Sequence, residues 1–446
     1  MSAQHCDVLY DVAGVGLGPF NLGAAALMEN VPDIKAVFIE EKTEFDWHPG
    51  MLLDGTTLQV PFLADLVSMA DVTNRFSFLN YLQEHGRMYH FYFLEKFHIP
   101  RQEYNHYCRW AASHITSCQF GMRVQEVRRI KLSDCDPVYE ITVRNENINK
   151  RFYARHLLMG VGTTPAVPGH LQHALGDTVF HTSEYLYKKE SCENADSIAV
   201  IGSGQSSAEV FLELAHEQVK KGFSLHWFTR SMGFFPMEYS KLGLEHFSPD
   251  YTAFFYQLPQ FKKDRLLEQQ HLLYKGISAD TIAAIYDLLY ERSIGNTKPD
   301  IHLQAMTEVE NITKRMNQWE LQAHHHIKGD SFKLDADVII LGTGYAQTMP
   351  HWLSPVDHLI ERDERGRFQI TEDYRLVMRE RLSNEIFVQN AELHTHGVGA
   401  PDLGLGAHRN AVIINQLVGR EAYPVQSDAV FQTFGIEQPT MSSTHI

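Results

Sequence analysis

Asp11-Val-Ala-Gly-Val-Gly-Leu-Gly-Pro-Phe-Asn-Leu22 decides the fold. An apolar β-type run precedes its glycines, Val8-Leu9-Tyr10 and Val12-Ala13, and helix formers follow, Gly23-Ala-Ala-Ala-Leu-Met28. Strand, glycine turn and helix in that order are the context in which Gly-x-Gly reads as a dinucleotide site. Gly14 permits the tight turn. Gly16 lets the backbone approach a pyrophosphate, which then sits at the positive end of the helix. Val37-Phe38-Ile39 reads as the second strand, and Glu40 or Glu41 at its end is placed to hold ribose hydroxyls. Pro19 stands where the usual fingerprint has its third glycine.

A second unit lies downstream. Ser197-Ile-Ala-Val-Ile201 is a strand, and Gly202-Ser-Gly-Gln-Ser-Ser-Ala-Glu209 is its turn and helix start, with Ser207 in the third-glycine place. The next strand, Ser224-Leu-His-Trp-Phe-Thr229, ends at Arg230. A site for NAD usually carries a carboxylate near this point, whereas an arginine suits the 2′-phosphate of NADP. The competing reading is a solvated strand-end arginine.

Working outward, 74–85 and 103–115 read as helices, the latter with an aromatic face (Tyr104, Tyr107, Trp110) suited to packing. Alternation over 124–130 and 139–143 predicts an antiparallel excursion. Aromatics, Pro236, Pro249 and helical patterns over 261–274 and 281–290 predict a helical insertion. Strands return around 319–324, where the His324-His-His326 run reads as strand or loop rather than metal site. Asp337-Val-Ile-Ile-Leu-Gly-Thr-Gly-Tyr345 reads as a buried strand closing on a third glycine turn, expected to mark the return to the first domain. A helix over 407–417 finishes it. The class is α/β, with two Rossmann-like dinucleotide-binding domains and a small, mainly helical substrate region. The expected boundaries are 1–166 with 336–446 for a discontinuous first domain and 167–335 for the second, including a lid over about 236–298.

Composition narrows the chemistry. The chain has 446 residues, 44% apolar and 21% charged, with a net charge of −16. That charge disfavours a nucleic-acid partner. The five cysteines, Cys6, Cys108, Cys118, Cys135 and Cys192, form no Cys-x-x-Cys. Neither a disulfide framework nor a redox dithiol is expected, and a reducing compartment is. No apolar run approaches membrane-spanning length, and the N-terminus has no signal-peptide pattern. The expectation is a cytoplasmic, soluble protein. Two dinucleotide units in one chain describe a two-nucleotide flavoenzyme, one unit for FAD and the other for NADPH. Without a dithiol, electrons are expected to go to O₂.

The motifs resemble a specific family. Gly14-x-Gly-x-Gly-Pro-Phe-Asn-Leu22, Trp47-His-Pro-Gly-Met51, Gly202-x-Gly-Gln-Ser206, Gly342-Thr-Gly-Tyr345 and His396-Gly397 are similar in order and spacing to the microbial N-hydroxylating flavin monooxygenases. These are the lysine, ornithine and diamine N-hydroxylases of hydroxamate siderophore biosynthesis, and the resemblance spans essentially the whole chain. It implies FAD held by Gly14, Gly16, Gly18, Pro19, Asn21 and Glu40, with Trp47, His48, Met51, Gln59, Gly344 and Tyr345 about the flavin. It implies NADPH held by Gly202, Gly204, Gln205, Ser206, Ser207 and Arg230. It further implies that NADPH reduces FAD and NADP⁺ stays bound, that reduced flavin and O₂ form a C4a-hydroperoxide near Gln59, and that a neutral primary amine takes the distal oxygen. Holding an alkylamine of pKa ~10.4 neutral near pH ~7.5 requires about three units, roughly 4 kcal/mol, for which a desolvated pocket is the usual source. No metal is implied. A dimer or tetramer, with at most peripheral membrane association, is the family expectation.

Two departures bear on the amine. In the amino-acid hydroxylases the stretch after the glutamine reads like Phe-Leu-Lys-Asp-Leu, and its lysine pairs with the substrate α-carboxylate. Here it is Phe62-Leu-Ala-Asp-Leu66, so Ala64 replaces that lysine. Alignment through Phe247-Ser-Pro249 puts Leu244 where ornithine enzymes carry an asparagine. Burying an unpaired carboxylate costs several kcal/mol. The expected substrate is therefore a diamine, putrescine or cadaverine, with Glu245 and Asp402 as candidate partners of its distal ammonium. The diamine hydroxylases share the Phe-Leu-Ala-Asp-Leu pattern and a stretch like Ala400-Pro-Asp-Leu-Gly-Leu-Gly-Ala407. The alternatives are an L-lysine N6-monooxygenase with a relocated cation, Lys241 first, and an uncoupled NADPH oxidase or non-catalytic nucleotide-binding partner.

Overall fold

In the computed structural model, which describes residues 8–131, 136–145 and 148–436, two sheets carry the two glycine turns. Cys6 and Cys135 fall outside the described residues, within which Cys108, Cys118 and Cys192 are unpaired.

The first sheet has seven strands. Its path runs Cys118–Gln119, Ala36–Ile39, Leu9–Val15, Ile148–Met159, Val138–Asn145 and Arg123–Ile130, with Ile386–Val388 also paired to Ile148–Met159. The dinucleotide-binding strands are parallel, whereas Arg123–Ile130 and Val138–Asn145 form the expected antiparallel excursion. The Pro19–Met28 helix packs its Ala-rich surface against the sheet; Ala24, Ala25, Ala26 and Leu27 are buried. The Arg101–His114 helix covers the same side and buries Tyr104, Tyr107 and Trp110, the packing role its aromatic face implied.

The second sheet orders Ile301–Gln304, Ser224–Phe228, Ser197–Ile201, Val338–Leu341 and Val179–His181, all parallel. This corrects the expected boundary at residue 336. Val338–Leu341 is buried throughout and lies between Ser197–Ile201 and Val179–His181, so it belongs to the second domain. A continuous apolar strand is the signature of any central parallel strand, and it does not say which sheet receives it. The domains are joined instead at an antiparallel ribbon, Thr164–Pro165 against Tyr345–Ala346. Beyond it, Trp352, Val356, Ile370 and Ile386 pack with Val127, Tyr139 and Ile141 of the first domain.

Between Phe228 and Ile301 the chain leaves the sheet for the helical insertion. Helices Lys241–Leu244, Pro249–Tyr256 and Ala279–Ser293 each begin at a serine, Ser240, Ser248 or Ser278, whose hydroxyl accepts a first-turn N–H. A three-stranded antiparallel ribbon follows, Thr307–Arg315, Gln318–His325 and Asp330–Ala336, of which only the middle strand was expected from the sequence. Among the described residues no helix is long and apolar enough to cross a membrane.

Candidate active site

The first turn is built for backbone approach. Gly16 has φ +83°, and an added Cβ would stand 2.6 Å from the Gly160 carbonyl oxygen. An added Cβ on Gly14 would collide with the Phe38 ring at 2.2 Å. Gly18 faces open space at the N-cap of the Pro19–Met28 helix, which has Pro19 at its first position, no side-chain cap and no acid in its first turn. Its first-turn N–H groups are therefore left for an external anion. Asn21 braces the turn from inside: its Nδ2 donates to the Gly16 carbonyl at 2.6 Å, and its Oδ1 accepts from Gln389 at 2.8 Å. Asn21 is fully buried, so it shapes the turn rather than facing a ligand. Glu40 comes back over the turn and accepts from the Leu17 N–H at 2.7 Å and the Lys42 N–H at 3.0 Å. A carboxylate offers about four lone-pair sites, so Glu40 keeps two for ribose hydroxyls.

The second turn repeats the plan. The Gln205–Lys221 helix starts at Gly204, again open and uncapped, with no acid in its first turn. Gly202 has φ +125°, and an added Cβ would stand 2.1 Å from the Gly342 carbonyl oxygen. Ser207, in the third-glycine place, is fully buried against the end of Val338–Leu341 and donates to the Gly342 carbonyl at 3.4 Å. The space that a third glycine usually provides is supplied from the other side, since a Cβ on Gly342 would meet Ser207 Oγ at 1.7 Å. Ser206 is half-buried in the first turn. Gln205 is committed elsewhere: its Nε2 donates to Glu209 and Thr281, and its Oε1 accepts from the Ser278 N–H. The side chain ties the helix to the insertion, which leaves the Gln205 first-turn N–H as the group it can offer NADPH. Arg230 follows the neighbouring strand with 75% of its side chain exposed, 3.7 Å from Glu308. Ser231 beside it reaches Ser203 of the turn at 3.0 Å.

The loop after the first unit and the glycine turn after the second meet at the domain seam. His48 has φ +48°, and its ring lies 4.9 Å from Trp47 and 5.8 Å from Tyr345. Burial first, then the charges of Arg101 and Lys42, lower its pKa to about 4, so it is neutral at physiological pH. Gly50 lets the loop touch the second domain, since a Cβ there would stand 1.9 Å from the Ser183 carbonyl oxygen. His181 holds the Gly344 carbonyl at 3.0 Å, and its ring lies 5.2 Å from Tyr345. Met51 corrects an expectation: it is 2% exposed within the second domain's core, so its side chain has no face left for a flavin ring.

A narrow cleft lies beside the start of the Pro19–Met28 helix. Pro19, Phe20, Asp65, Leu66, Tyr104, Gly406 and Asn410 line it, and Asn410 Oδ1 is buried without a partner. Here Ala64, 5% exposed, lies beside Gly404, and Asp402 accepts from the Gly404 N–H at 2.7 Å. Burial raises the Asp402 pKa to about 6 against the pull of the Gly404 and Leu405 N–H groups and the Arg409 charge. Its charge in turn adds to the burial that pushes Tyr239 up to about 12. The Tyr239 hydroxyl donates to the backbone carbonyl of Gln59, and Gln59 Nε2 lies 3.9 Å from the Met237 sulfur. Gln59, Tyr239, Asp402 and Ala64 are thereby linked into one neighbourhood. Sequence reading missed Tyr239, which stands 180 positions from Gln59 in a stretch without a motif.

Leu244 ends the Lys241–Leu244 turn and is 38% exposed, on the segment that also carries Tyr239. Glu245 is corrected as an ammonium partner. Its carboxylate accepts from the Phe431 and Gln432 N–H groups and from Gln432 Nε2, so it anchors the C-terminal segment. The Phe431 N–H contributes most to holding its carboxyl below the usual range.

The donor set fits two dinucleotides: two uncapped helix N-termini with glycines open in front of them, a strand-end carboxylate at one and a strand-end arginine at the other. The comparisons agree. The family model described as L-lysine 6-monooxygenase/L-ornithine 5-monooxygenase matches residues 8–347. The chain is 45% identical to the rhizobactin siderophore biosynthesis protein RhbE of Rhizobium meliloti over 96% of this chain and 95% of that protein. It is 40% identical to a putrescine N-hydroxylase of Shewanella oneidensis over 98% of this chain and 88% of that one. Among solved structures, the FAD-bound cadaverine monooxygenase DfoA of Erwinia amylovora matches with TM-score 0.92 and 37% identity, covering 97% of this chain and all of that one. With strands, turns and seam in the same order as the motifs, the chain belongs to the L-lysine 6-monooxygenase/L-ornithine 5-monooxygenase family.

Proposed function

We propose that the protein is an FAD- and NADPH-dependent N-monooxygenase that hydroxylates one amine of putrescine or cadaverine, supplying an N-hydroxydiamine for hydroxamate siderophore biosynthesis. The observation that carries this reading is that Ala64 and Asp402 both flank Gly404, with Asp402 close enough to act electrostatically on the Tyr239 that holds Gln59. Where an amino-acid enzyme needs a cation for the α-carboxylate, this chain places a methyl group and, beside it, an anion. A carboxylate-bearing substrate would meet like charge there; a distal ammonium would meet its counter-ion. The putrescine N-hydroxylase and cadaverine monooxygenase relatives support the same class.

FAD fits the first turn, with its pyrophosphate at the Pro19–Met28 N-terminus and ribose on Glu40. NADPH fits the second, with its 2′-phosphate on Arg230. When bound, reduced FAD supplies the electrons that split O₂ between a hydroxylamine and water. The protein's part is binding, orientation and a dry site. Asp402 holds the far ammonium, Tyr239 fixes the Gln59 loop, and the apolar surround favours the neutral form of the reacting amine.

The test is hydroxylamine formation by the FAD-loaded protein with putrescine, cadaverine, L-lysine and L-ornithine offered separately. Diamine hydroxylation with the amino acids nearly inert is expected, and efficient lysine hydroxylation would overturn the assignment. The pH dependence follows from Asp402. It is charged above about pH 6, so KM for the diamine should be level at higher pH and rise about tenfold per unit below it. Asp402→Asn should raise that KM by about 10- to 100-fold, the worth of a hydrogen bond to a charged group, and abolish the step.

A further inference from the structure

Arg101 begins the Arg101–His114 helix of the first domain, and Glu209 lies on the Gln205–Lys221 helix that starts at the second glycine turn. Arg101 Nη1 and Nη2 donate to the two Glu209 oxygens, each at 2.7 Å, across 108 positions of sequence. Their side chains are only 11% and 4% exposed. On one side the pair is joined by backbone to the flavin-facing loop: the Arg101 N–H donates to the Thr56 carbonyl at 3.1 Å, and the Leu58 N–H to the Ile99 carbonyl at 2.8 Å. Gln59 is the next residue. On the other side Gln205 Nε2 shares Glu209 Oε1 at 2.8 Å and reaches Thr281 at 3.0 Å, while Gln205 Oε1 accepts from the Ser278 N–H at 2.7 Å. Ser278 caps the insertion helix Ala279–Ser293, and Thr281 is the first-turn residue whose N–H it accepts.

A buried ion pair returns little net stability, because desolvation offsets most of its Coulomb attraction. What a two-point guanidinium–carboxylate fork does return is a fixed orientation. This fork ties the second nucleotide helix to the Arg101–His114 helix, whose start is hydrogen-bonded to the Gln59 loop. Transfer of hydride between two bound rings is the kind of step in which a displacement of about 1 Å can cost 10²-fold.

We propose that Arg101 and Glu209 are positioning residues that set the NADPH-binding helix against the Gln59 loop, with Gln205 carrying the same constraint to the insertion helix. The inference rests on the assignment of FAD and NADPH to the two turns. Its test uses FAD-loaded protein and three readouts: FAD content with NADP⁺ affinity, the rate of anaerobic flavin reduction at saturating NADPH, and small-angle scattering. Arg101→Ala should slow reduction by about 10- to 100-fold, with FAD content unchanged and NADP⁺ affinity within about threefold. Its scattering should show a broadened separation of the two domains. Glu209→Gln, which keeps neutral hydrogen bonds, should fall between Arg101→Ala and wild type. The exchanged pair Arg101→Glu with Glu209→Arg should recover most of the lost rate and the compact scattering profile. An exchanged pair no better than either single variant would overturn the proposal, as would a loss confined to NADP⁺ affinity. Should the wild-type flavin fail to accept electrons from NADPH, the cofactor assignment falls. The scattering comparison still decides the clamp, and identical profiles for wild type and Arg101→Ala would overturn it.

Discussion

The two glycine turns share a backbone plan and differ in what surrounds it. The first is bolted into its domain: Asn21 and Gln389 brace it from below, and Glu40 folds back onto the Leu17 N–H. The second is braced too, by Trp227 Nε1 donating to the Gly202 carbonyl at 2.6 Å and Ser207 to that of Gly342, but an exposed arginine loosely paired with Glu308 stands at the matching strand end. A braced turn with a carboxylate suits a nucleotide that stays bound. A turn with a solvated strand-end cation suits a nucleotide that carries an extra phosphate. The difference teaches that Gly-x-Gly settles only the pyrophosphate.

The largest effect is expected where the backbone itself is at stake. Gly16→Val puts a β-branched residue at φ +83° and against the Gly160 carbonyl. Several kcal/mol of strain and clash should weaken FAD retention by more than about 100-fold. The flavin-to-protein absorbance ratio after gel filtration reads this directly; full retention would break the comparison at its first member. Next comes Arg230→Ala. A charge-assisted contact to the 2′-phosphate is worth ~1.5–3 kcal/mol, so KM for NADPH should rise about 10- to 100-fold while KM for NADH stays put. Equal effects on both nucleotides would remove Arg230 from phosphate recognition.

These predictions separate what the sequence made legible from what it left open. Strand, turn and helix are local, so both units, the antiparallel excursion and the insertion could be read from short patterns. Partners across long separations could not. Val338–Leu341 reads as a buried strand in either sheet, and only its pairing with Ser197–Ile201 assigns it. Gln205 sits in a glycine motif yet spends its amide on Glu209, Thr281 and Ser278. Glu245 resembled a free carboxylate until the C-terminal segment, 186 positions away, supplied its donors. Asp402 kept its candidacy because its neighbours Ala64 and Tyr239 converge on it in space.

Smaller effects sharpen the contrast further. Glu40→Gln keeps an acceptor for the Leu17 N–H but loses the charge, so FAD affinity should fall by only about three- to tenfold, seen by fluorescence titration of apoprotein. Glu308→Gln removes an exposed ion pair of ~0–1 kcal/mol and should change KM for NADPH by less than about threefold, with the change shrinking as salt rises. A larger change would mean that Glu308, rather than Arg230, sets the charge at the second site.

The most direct measurement follows gel-filtered protein through anaerobic reduction by NADPH and by NADH at matched concentrations. The account predicts one FAD retained per chain, rapid bleaching of the flavin by NADPH, and an efficiency with NADH lower by at least about tenfold, a gap that Arg230→Ala closes. Loss of FAD on the column, or equal efficiency with the two nicotinamides in the wild type, would contradict it.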